Sequence, residues 1–304
     1  MHWSQQISTV KDSGIQQCTL CPRACAAQRN AEEGRGFCAA PSTAYVAKAM
    51  LHMWEEPPIS GTRGAGTIFF SGCTLRCVYC QNRDISRIEG RPRGRAVTAA
   101  QLADIMLSLE EQGAHNIEFV TGTQFVPTII EALELHRPAV PVVWNSGGYE
   151  RIETVDTLAP YVDIWLPDYK YALSSPAEKY SGAPDYPEVA LRAIERMREH
   201  APENVIEDGI MRRGVIVRHL VLPLNVRNSI AALERLHERL PDVPVSIMGQ
   251  YTPVDGLENY PELTRRITPR EYGKVCDAAQ ELGIEGYVQE LSSAESRYIP
   301  QWDE

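Results

Sequence analysis

The chain has 304 residues, 43% of them hydrophobic, which is enough to bury the core of one large α/β domain with or without a small appendage. Its formal net charge of −10 argues against binding to nucleic acids or to anionic membranes. Because no apolar run reaches about 18 residues and the N-terminus lacks a basic and apolar leader, we expect a cytoplasmic protein without a membrane helix.

The first 40 residues contain four cysteines and no sustained hydrophobic periodicity. We therefore expect a cysteine-rich lobe with its lead-in over residues 1–60. Disulfides are rare in the cytoplasm, whereas four thiolates can close the coordination sphere of a structural zinc ion or of a complete iron–sulfur cluster. Both metals stay open at this stage, as do disulfides and free thiols. The four residues are Cys18, Cys21, Cys25 and Cys38.

From residue 61 to residue 304 short apolar runs alternate with amphipathic stretches. The apolar runs predict strands at 67–72, 116–121, 140–145, 162–167, 214–223 and 243–250. The amphipathic stretches predict helices at 98–112, 125–137, 151–159, 187–200, 228–240 and 269–282. Strands separated by helices favour right-handed parallel βαβ units. Six such units predict an α/β fold, a partial (β/α)6 TIM-like barrel that carries its functional groups at the carboxyl ends of the strands.

Helix boundaries follow from capping residues. Thr98, Ser229 and Thr268 are predicted N-caps, and Gly113 and Gly283 are predicted to end helices. The longer insertion at 171–187 predicts a short helix and an ordered loop beside the mouth of the barrel. Cys276, on the last predicted helix, is best explained as a small core residue.

Three further cysteines, Cys73, Cys77 and Cys80, follow the first predicted barrel strand directly. Their spacing puts three thiolates within reach of one metal centre. A [4Fe–4S] cluster normally takes four thiolates, so three would leave one iron open to the amine and carboxylate of a bound amino acid. Thiolates suit zinc equally well, and it is the position after a barrel strand that favours the cluster.

This loop, with Tyr79 before its last cysteine, resembles the signature of the radical SAM superfamily. Several other segments are similar to one subgroup, the PflX-like homologues of pyruvate formate-lyase activating enzyme, whose reaction is unassigned. The similarity extends over roughly residues 18 to 280. The segments are 52–57, 59–61, 66–73, 80–82, 113–116, 166–171, 179–181, 218–223 and 248–251.

The resemblance implies an oxidoreductase that cleaves S-adenosylmethionine (SAM) reductively at the cluster and takes hydrogen from a substrate with the resulting 5′-deoxyadenosyl radical. It also implies a one-electron donor such as flavodoxin or ferredoxin. Three functions stay open: activation of a glycyl radical protein, radical modification of a small molecule or peptide, and a non-catalytic iron–sulfur or zinc protein on the same fold.

The resemblance also implies a SAM site at the strand ends. The second strand ends without an acidic residue, so we expect backbone carbonyls or threonine hydroxyls to receive the SAM ammonium there. The implied SAM contacts are Tyr79, Asn82, Thr121, Gly122, Thr123, Asn145, Asp168, Lys170 and His219. The candidates on the substrate side are Gln124, Arg218, Gln250 and Tyr251.

Some of these residues have a structural alternative. Asp168 and Lys170 could be an ion pair without a ligand, and Asn145 could be a turn residue. Arg218 and His219 alternate along one strand, so only one of them should point into the barrel. Glu55 and Glu56 are assigned to a loop rather than to the site. A group of arginines after the cysteine loop is either a solvated face or an anion-facing rim: Arg83, Arg87, Arg91, Arg93 and Arg95.

Overall fold

The structure is a computed structural model that describes residues 15–289, 291 and 302. The N-terminal lobe begins with an antiparallel pair of short strands, β1 (Ile15–Cys18) and β2 (Ala27–Arg29). Irregular turns connect this pair to the long strand β3 (Ala44–His52). Because the lobe has little regular structure, its shape depends on side-chain contacts with the rest of the molecule.

A row of parallel strands forms the centre of the molecule. β4 (Ala65–Phe70), β6 (Ile117–Val120), β7 (Val142–Ser146), β8 (Ile164–Pro167) and β10 (Ile210–Val215) pair in that order. A second parallel sheet continues with β11 (Val217–Leu220), β12 (Val245–Met248) and β13 (Gly286–Val288). A bridge between Asp168 and Arg218 joins the two sheets. The α/β fold with a partial barrel is thus confirmed.

Helices cover the outer face of the strands. Their bounds are α1 (Pro57–Ser60), α2 (Arg83–Ser86), α3 (Ala99–Glu111), α4 (Val126–Leu135), α5 (Ile152–Leu158), α6 (Ser174–Ser181), α7 (Tyr186–His200), α8 (Val226–Arg239) and α9 (Pro269–Glu281). Two 3₁₀ turns lie at 123–125 and 261–263. Within the described residues, no helix combines the length and the apolar character needed to cross a bilayer.

Two of the three predicted N-caps are confirmed. Thr98 and Thr268 each form a complete capping box with the residue three positions on. Gly113 and Gly283 follow the ends of α3 and α9 with φ of +90° and +70°, a conformation that glycine adopts without strain. The prediction for Ser229 is wrong, because α8 begins at Val226. The buried hydroxyl of Ser229 lies about one turn inside the helix.

Strand β3 belongs to the barrel sheet although the sequence assigned it to the lead-in of the lobe. It pairs antiparallel with β4 on one side and with β5 (Arg95–Val97) on the other. The predicted strand 214–223 is interrupted near Ile216, where β10 leaves β8 and β11 begins its pairing with β12. β9 (Val205–Glu207) and β10 form a hairpin on the outer edge.

The alternation of side chains along the strands divides the core into two parts. Large residues such as Phe119, Trp144 and Trp165 pack between the sheet and the helices. A smaller cluster that includes Ile59, Val143, Ile164 and Ile216 comes from the opposite face of the strands and fills the barrel interior near their amino ends. The remaining interior, toward the carboxyl ends, is where polar side chains gather.

Candidate active site at the carboxyl ends of the strands

A cavity at the carboxyl ends of the parallel strands contains the three loop cysteines on one wall and ionic side chains on another. Its lining combines the cysteine loop with residues from β3, β4, β6, β7, β8, β11 and β12 or from the segments that follow them. The lining residues are His52, Trp54, Glu55, Phe69, Cys73, Leu75, Cys77, Tyr79, Cys80, Gln81, Asn82, Val120, Thr121, Asn145, Ser146, Gly147, Asp168, Lys170, Arg218, Leu220, Met248 and Gln250.

The cysteine loop is shaped by local backbone geometry. Gly72 has φ of +87° and donates its N–H to the carbonyl of Ile85 at 2.7 Å, so the chain turns sharply out of β4. Arg76 also has a positive φ, +52°. The hydroxyl of Ser181 in α6 donates to Cys77 Sγ at 3.0 Å. These contacts hold the three thiols on one wall of the cavity.

The three thiols have the chemistry that a metal cluster requires. Burial raises the pKa of Cys73 to about 12, and burial together with the neighbouring Cys77 raises the pKa of Cys80. Ionisation of grouped, buried thiols therefore needs a compensating positive charge, which iron supplies. In the described part of the chain no three Cys, His, Asp or Glu side chains converge on one metal-ion position. The fit therefore rests on the donor type, burial and common cavity wall.

The ionic wall of the cavity centres on Arg218. Its guanidinium donates to Asp168 Oδ1 at 3.0 Å, to Glu55 Oε2 at 3.0 Å and to the side-chain oxygen of Asn145. Lys170 pairs with the other oxygen of Asp168. Burial opposes ionisation of Asp168, but Lys170 and Arg218 outweigh it and lower the pKa of that carboxyl. Asp168 and Lys170 do form the ion pair considered as an alternative, and both also line the cavity.

Two glutamates that were not predicted as site residues, Glu55 and Glu118, belong to this network. Glu55 was assigned to a loop, yet it lines the cavity and pairs with Arg218. Glu118, in the middle of β6, accepts hydrogen bonds from Thr67 at 2.6 Å and from Asn145 at 2.7 Å. Burial raises the pKa of Glu55 to about 8 and raises that of Glu118 as well. A carboxylate on the inward face of an apolar strand was the signal that could have found Glu118.

Of the four predicted site residues in the turn after the second barrel strand, one lines the cavity and three do not. Thr121 lines the cavity, whereas Gly122 faces Ile129 and Trp144. Thr123 is buried and donates to Glu150 Oε1 at 2.6 Å.

The buried side chain of Gln124 also has a structural task. Its amide donates to the carbonyl oxygens of Ser71 at 3.1 Å and Gly72 at 3.0 Å. Gly122, Thr123 and Gln124 therefore support the cavity from behind and do not line it.

At the last strands, too, some of the predicted site residues line the cavity and others are buried outside it. Arg218 points into the cavity, and His219 lies on the opposite side of the strand, fully buried with Nδ1 2.7 Å from the carbonyl oxygen of Tyr169. This is the core-histidine alternative. Gln250 lines the cavity, while Tyr251 is buried beneath it and donates its hydroxyl to the carbonyl of Leu263 at 2.6 Å.

Tyrosines support the cysteine loop from behind. Tyr171 donates to the hydroxyl of Tyr79 at 2.8 Å and lies 2.8 Å from the hydroxyl of Ser181. Since Ser181 in turn donates to Cys77, the insertion that carries Tyr171 and Ser181 is hydrogen-bonded to the cysteine wall. The predicted short helix in this insertion, α6, is confirmed.

The predicted N-terminal ligands lie beside this loop. Cys18, Cys21 and Cys38 are buried and Cys25 is exposed. Cys276 is partly buried and packs against the main core, as predicted. Among the arginines after the cysteine loop, Arg83 donates to the carbonyl of Asp255 at 2.6 Å and Arg91 is exposed. Arg91 therefore fits the prediction of a solvated face, whereas Arg83 contacts another part of the chain.

Residues 67–214, from β4 to β10, match the family model described as the Radical SAM superfamily. The matched segment is therefore similar to radical SAM domains, and such a domain implies an enzyme of the radical SAM type that uses SAM and a [4Fe–4S] cluster. The matched region contains all three loop cysteines together with Thr121, Asn145, Asp168 and Lys170.

Over 277 residues the chain is 28% identical to an uncharacterised protein of Methanocaldococcus jannaschii, with 89% of this chain and 76% of that protein covered. A radical SAM methyltransferase structure from Sphaerobacter thermophilus is similar with a TM-score of 0.51 and 13% identity. The match covers 73% of this chain and 66% of the methyltransferase chain, so this chain spans slightly under two thirds of the length of that protein. At this identity the likeness concerns the fold alone.

A domain of a pyruvate-formate lyase-activating enzyme from Bacteroides vulgatus gives a TM-score of 0.37 at 15% identity, covering 63% of this chain and 91% of that domain. Membership of the PflX-like subgroup stays a prediction.

Proposed function

We propose that this chain is a radical SAM enzyme whose active site is the cavity at the carboxyl ends of the strands. Cys73, Cys77 and Cys80 would hold the cluster and leave one iron for SAM. The observation that carries the proposal is that these thiols and the polar ends of β6, β7 and β8 line one cavity. When bound and reduced, the cluster would supply the one electron needed for reductive cleavage of SAM, the reaction that yields a radical able to take hydrogen from a substrate.

The protein's own task is to position SAM and to keep water away. Thr121 offers a hydroxyl and Asn145 an amide on the side of β6 and β7. Asp168 is kept ionised by its two cations, so it can accept hydrogen bonds from the ribose hydroxyls or the ammonium of SAM. Phe69, Leu75 and Leu220 provide apolar walls beside these polar groups.

Arg218 and Glu55, on the other part of the ionic wall, would face the substrate. Arg218, Glu55 and Asn145 already satisfy one another, so a substrate that reaches them must be polar enough to replace or extend these hydrogen bonds. A polypeptide backbone meets this requirement. Trp54, 58% exposed, lines the cavity, and its neighbour Met53 is also exposed, which gives a protein partner an apolar contact at the rim. This observation favours activation of a glycyl radical protein, with modification of a small molecule or peptide as the second candidate.

Anaerobic reconstitution followed by reduction with dithionite tests the first part of the proposal. With SAM present, 5′-deoxyadenosine should form and should be detected by mass spectrometry. Cys73→Ala, Cys77→Ala and Cys80→Ala should each abolish it, while Cys276→Ala, a cysteine outside the cavity, should not. A reconstituted cluster that yields no 5′-deoxyadenosine would contradict the proposal and favour a non-catalytic iron–sulfur protein.

The substrate class can be tested with the reduced, SAM-loaded protein. Flavodoxin or ferredoxin should replace dithionite as the one-electron donor. Incubation with the protein fraction of the source organism should give a persistent organic radical in the EPR spectrum if a glycyl radical partner is activated. If the small-molecule fraction alone stimulates formation of 5′-deoxyadenosine and no protein radical appears, the second candidate is favoured.

A further inference from the structure

The N-terminal lobe contacts the cysteine loop through residues that flank their cysteines. Arg23, between Cys21 and Cys25, donates to the carbonyl oxygens of Thr74 at 3.0 Å and Ser181 at 2.7 Å. In the other direction Arg76, directly before Cys77, donates to the carbonyl oxygen of Phe37 at 2.9 Å, directly before Cys38. The two cysteine sets are thus joined by reciprocal hydrogen bonds.

The backbones of the two sets also approach each other closely. A Cβ atom added to Gly72, directly before Cys73, would stand 3.2 Å from the carbonyl oxygen of Cys38. Glycine at position 72 therefore serves both the positive φ of the turn and the close approach of the lobe. A displacement of the Cys38 backbone toward the loop would therefore push directly against Gly72.

Arg29 is a buried cation in this lobe, only 3% exposed. Its guanidinium donates to the carbonyl oxygens of Ala40 at 2.9 Å, Pro41 at 2.7 Å and Gln124 at 2.6 Å. Its fourth partner is Cys18 Sγ at 3.5 Å. None of these partners is a carboxylate, although a buried guanidinium is costly unless negative charge lies close to it. The sulfur atoms are the groups beside it that can provide that charge.

We propose that Cys18, Cys21, Cys25 and Cys38 bind a thiophilic metal centre whose negative charge is balanced by Arg29, and that this centre holds the Cys73–Cys80 loop in position. Four thiolates around zinc or around an oxidised [4Fe–4S] cluster carry a net charge of about −2. Either centre, through its four thiolates, would supply the negative charge that Arg29 requires. The second part of this proposal rests on the proposed function; the first part does not.

Within the described residues, no three of these thiols converge on one metal-ion position. Three are buried and Cys25 is exposed, so metal binding would draw Cys25 inward. Gly36 lies against it, since a Cβ atom at that position would stand 2.9 Å from Cys25 Sγ. A glycine there leaves room for the thiolate to move toward its partners.

A short chain of hydrogen bonds connects the centre to the loop. Arg29 contacts Cys18 Sγ and donates to the carbonyl of Gln124, and the side chain of Gln124 donates to the carbonyls of Ser71 and Gly72. Gly72 is bonded to Cys73. Loss of the metal would leave Arg29 without its counter-charge and would loosen the support of the residues that precede Cys73.

Metal analysis of the full-length Cys73→Ala/Cys77→Ala/Cys80→Ala variant tests the site independently of SAM chemistry. After anaerobic reconstitution with iron and sulfide, or with zinc alone, each chain should retain about one zinc ion or about four irons with sulfide. Should this variant fail to fold, the difference in metal content between the wild-type protein and Cys18→Ala/Cys38→Ala gives the same quantity. Equal metal content in that pair, or a folded triple variant without metal, would overturn the proposal.

The role of Arg29 is tested by competition with a chelator. Arg29→Met should weaken metal binding about 10–100-fold, as loss of a group that supports metal ligands does. Arg29→Lys should recover part of this loss because it keeps the charge, and Arg35→Met, an exposed arginine in the same lobe, should bind like the wild type. An unchanged affinity in Arg29→Met would show that Arg29 is not the counter-ion.

The effect on the loop is tested by SAM binding. Cys18→Ala/Cys38→Ala should raise the Kd for SAM at least tenfold while the loop still binds its own cluster, seen by EPR. An unchanged Kd would refute the positioning role and leave the metal site intact. Absence of SAM cleavage in the wild type together with a filled N-terminal centre would instead count against the proposed function alone.

Discussion

Removal of the Arg218 side chain should destabilise the interior of the barrel. Its side chain is 13% exposed, and its carboxylate partners Glu55 and Asp168 are 10% and 12% exposed. Screening by solvent is therefore weak for both ion pairs, each with N–O distances of 3.0 Å. In Arg218→Met the buried carboxylate of Asp168 would keep only Lys170 as its cation, and the buried carboxyl groups of Glu55 and Glu118 would lose a neighbouring positive charge.

The magnitude follows from the burial of these groups. Removal of one partner from a buried ion pair costs about 3–5 kcal/mol when the other charge is left uncompensated. Asp168 keeps Lys170 as a partner, so we expect the lower end of this range, about 3 kcal/mol. At about 2 °C per kcal/mol for a large domain, the Tm should fall by roughly 6 °C. The matched control is Arg212→Met, whose salt bridge with Glu207 is 40% and 63% exposed; an exposed pair contributes about 0–1 kcal/mol.

Thermal unfolding followed by circular dichroism at several pH values measures the difference. Lys170 and Arg218 lower the pKa of Asp168, so in the wild type this group stabilises the fold above its ordinary pKa and loses that effect as the pH falls through the lowered value. The variant keeps only Lys170. The deficit of Arg218→Met should therefore be largest near neutral pH and should shrink in acid. A deficit equal to that of Arg212→Met, or independent of pH, would refute the assignment of a buried ionic network.

Three further predictions concern other parts of the molecule. Ser181→Ala removes the hydrogen bond to Cys77 Sγ; at about 1 kcal/mol for one such bond, the loop cluster should become harder to reduce by roughly 40 mV in an EPR-monitored titration, with the exposed Ser175→Ala as control. Thr268→Ala should cost about 1 kcal/mol in urea unfolding because it breaks a capping box, whereas Ser229→Ala, whose buried hydroxyl has no partner within the described residues, should be nearly neutral. Burial raises the pKa of Glu150 to about 7, so between about pH 4.5 and pH 7 the unfolded chain releases this proton first and stability should decline by about 3 kcal/mol. Glu150→Gln should flatten that part of the pH profile at equal metal content, and an unchanged slope would contradict the assignment.

The strands and helices of the barrel could be predicted from hydrophobic periodicity, but two kinds of element could not. β3 has partly covered residues on both faces and therefore lacks a clean alternation of apolar and polar positions. β13 is three residues long, with one residue half-buried and two exposed, so it carries almost no local signal. In each case pairing with a neighbouring strand, β4 or β12, defines the element.

In the candidate site, too, some residues could be predicted from the sequence and others could not. The cysteine spacing and the position of Asp168 and Lys170 after a strand could be recognised from the residues themselves. Glu55 could not, because it lies in the segment between β3 and β4 and reaches Arg218, 163 positions later, only after the strands have assembled. His219 and Gln124 were assigned to the site by position, but the direction of each side chain depends on the register of its strand or turn.

The sequence by itself determined the candidate donor groups of this protein, since three thiols after a strand and four thiols in a loop-rich lobe are present whatever surrounds them. It also determined the order of strands and helices, which follows from local periodicity. Only the tertiary structure decided that Arg218 and not His219 faces the cavity, and that Glu55 lines its ionic wall while Glu118 is hydrogen-bonded to Asn145. It alone also decided that Cys38 lies against the backbone before Cys73. The physical reason is that these relations join residues far apart in the chain, and their energy comes from burial and pairing that exist only after the barrel has formed.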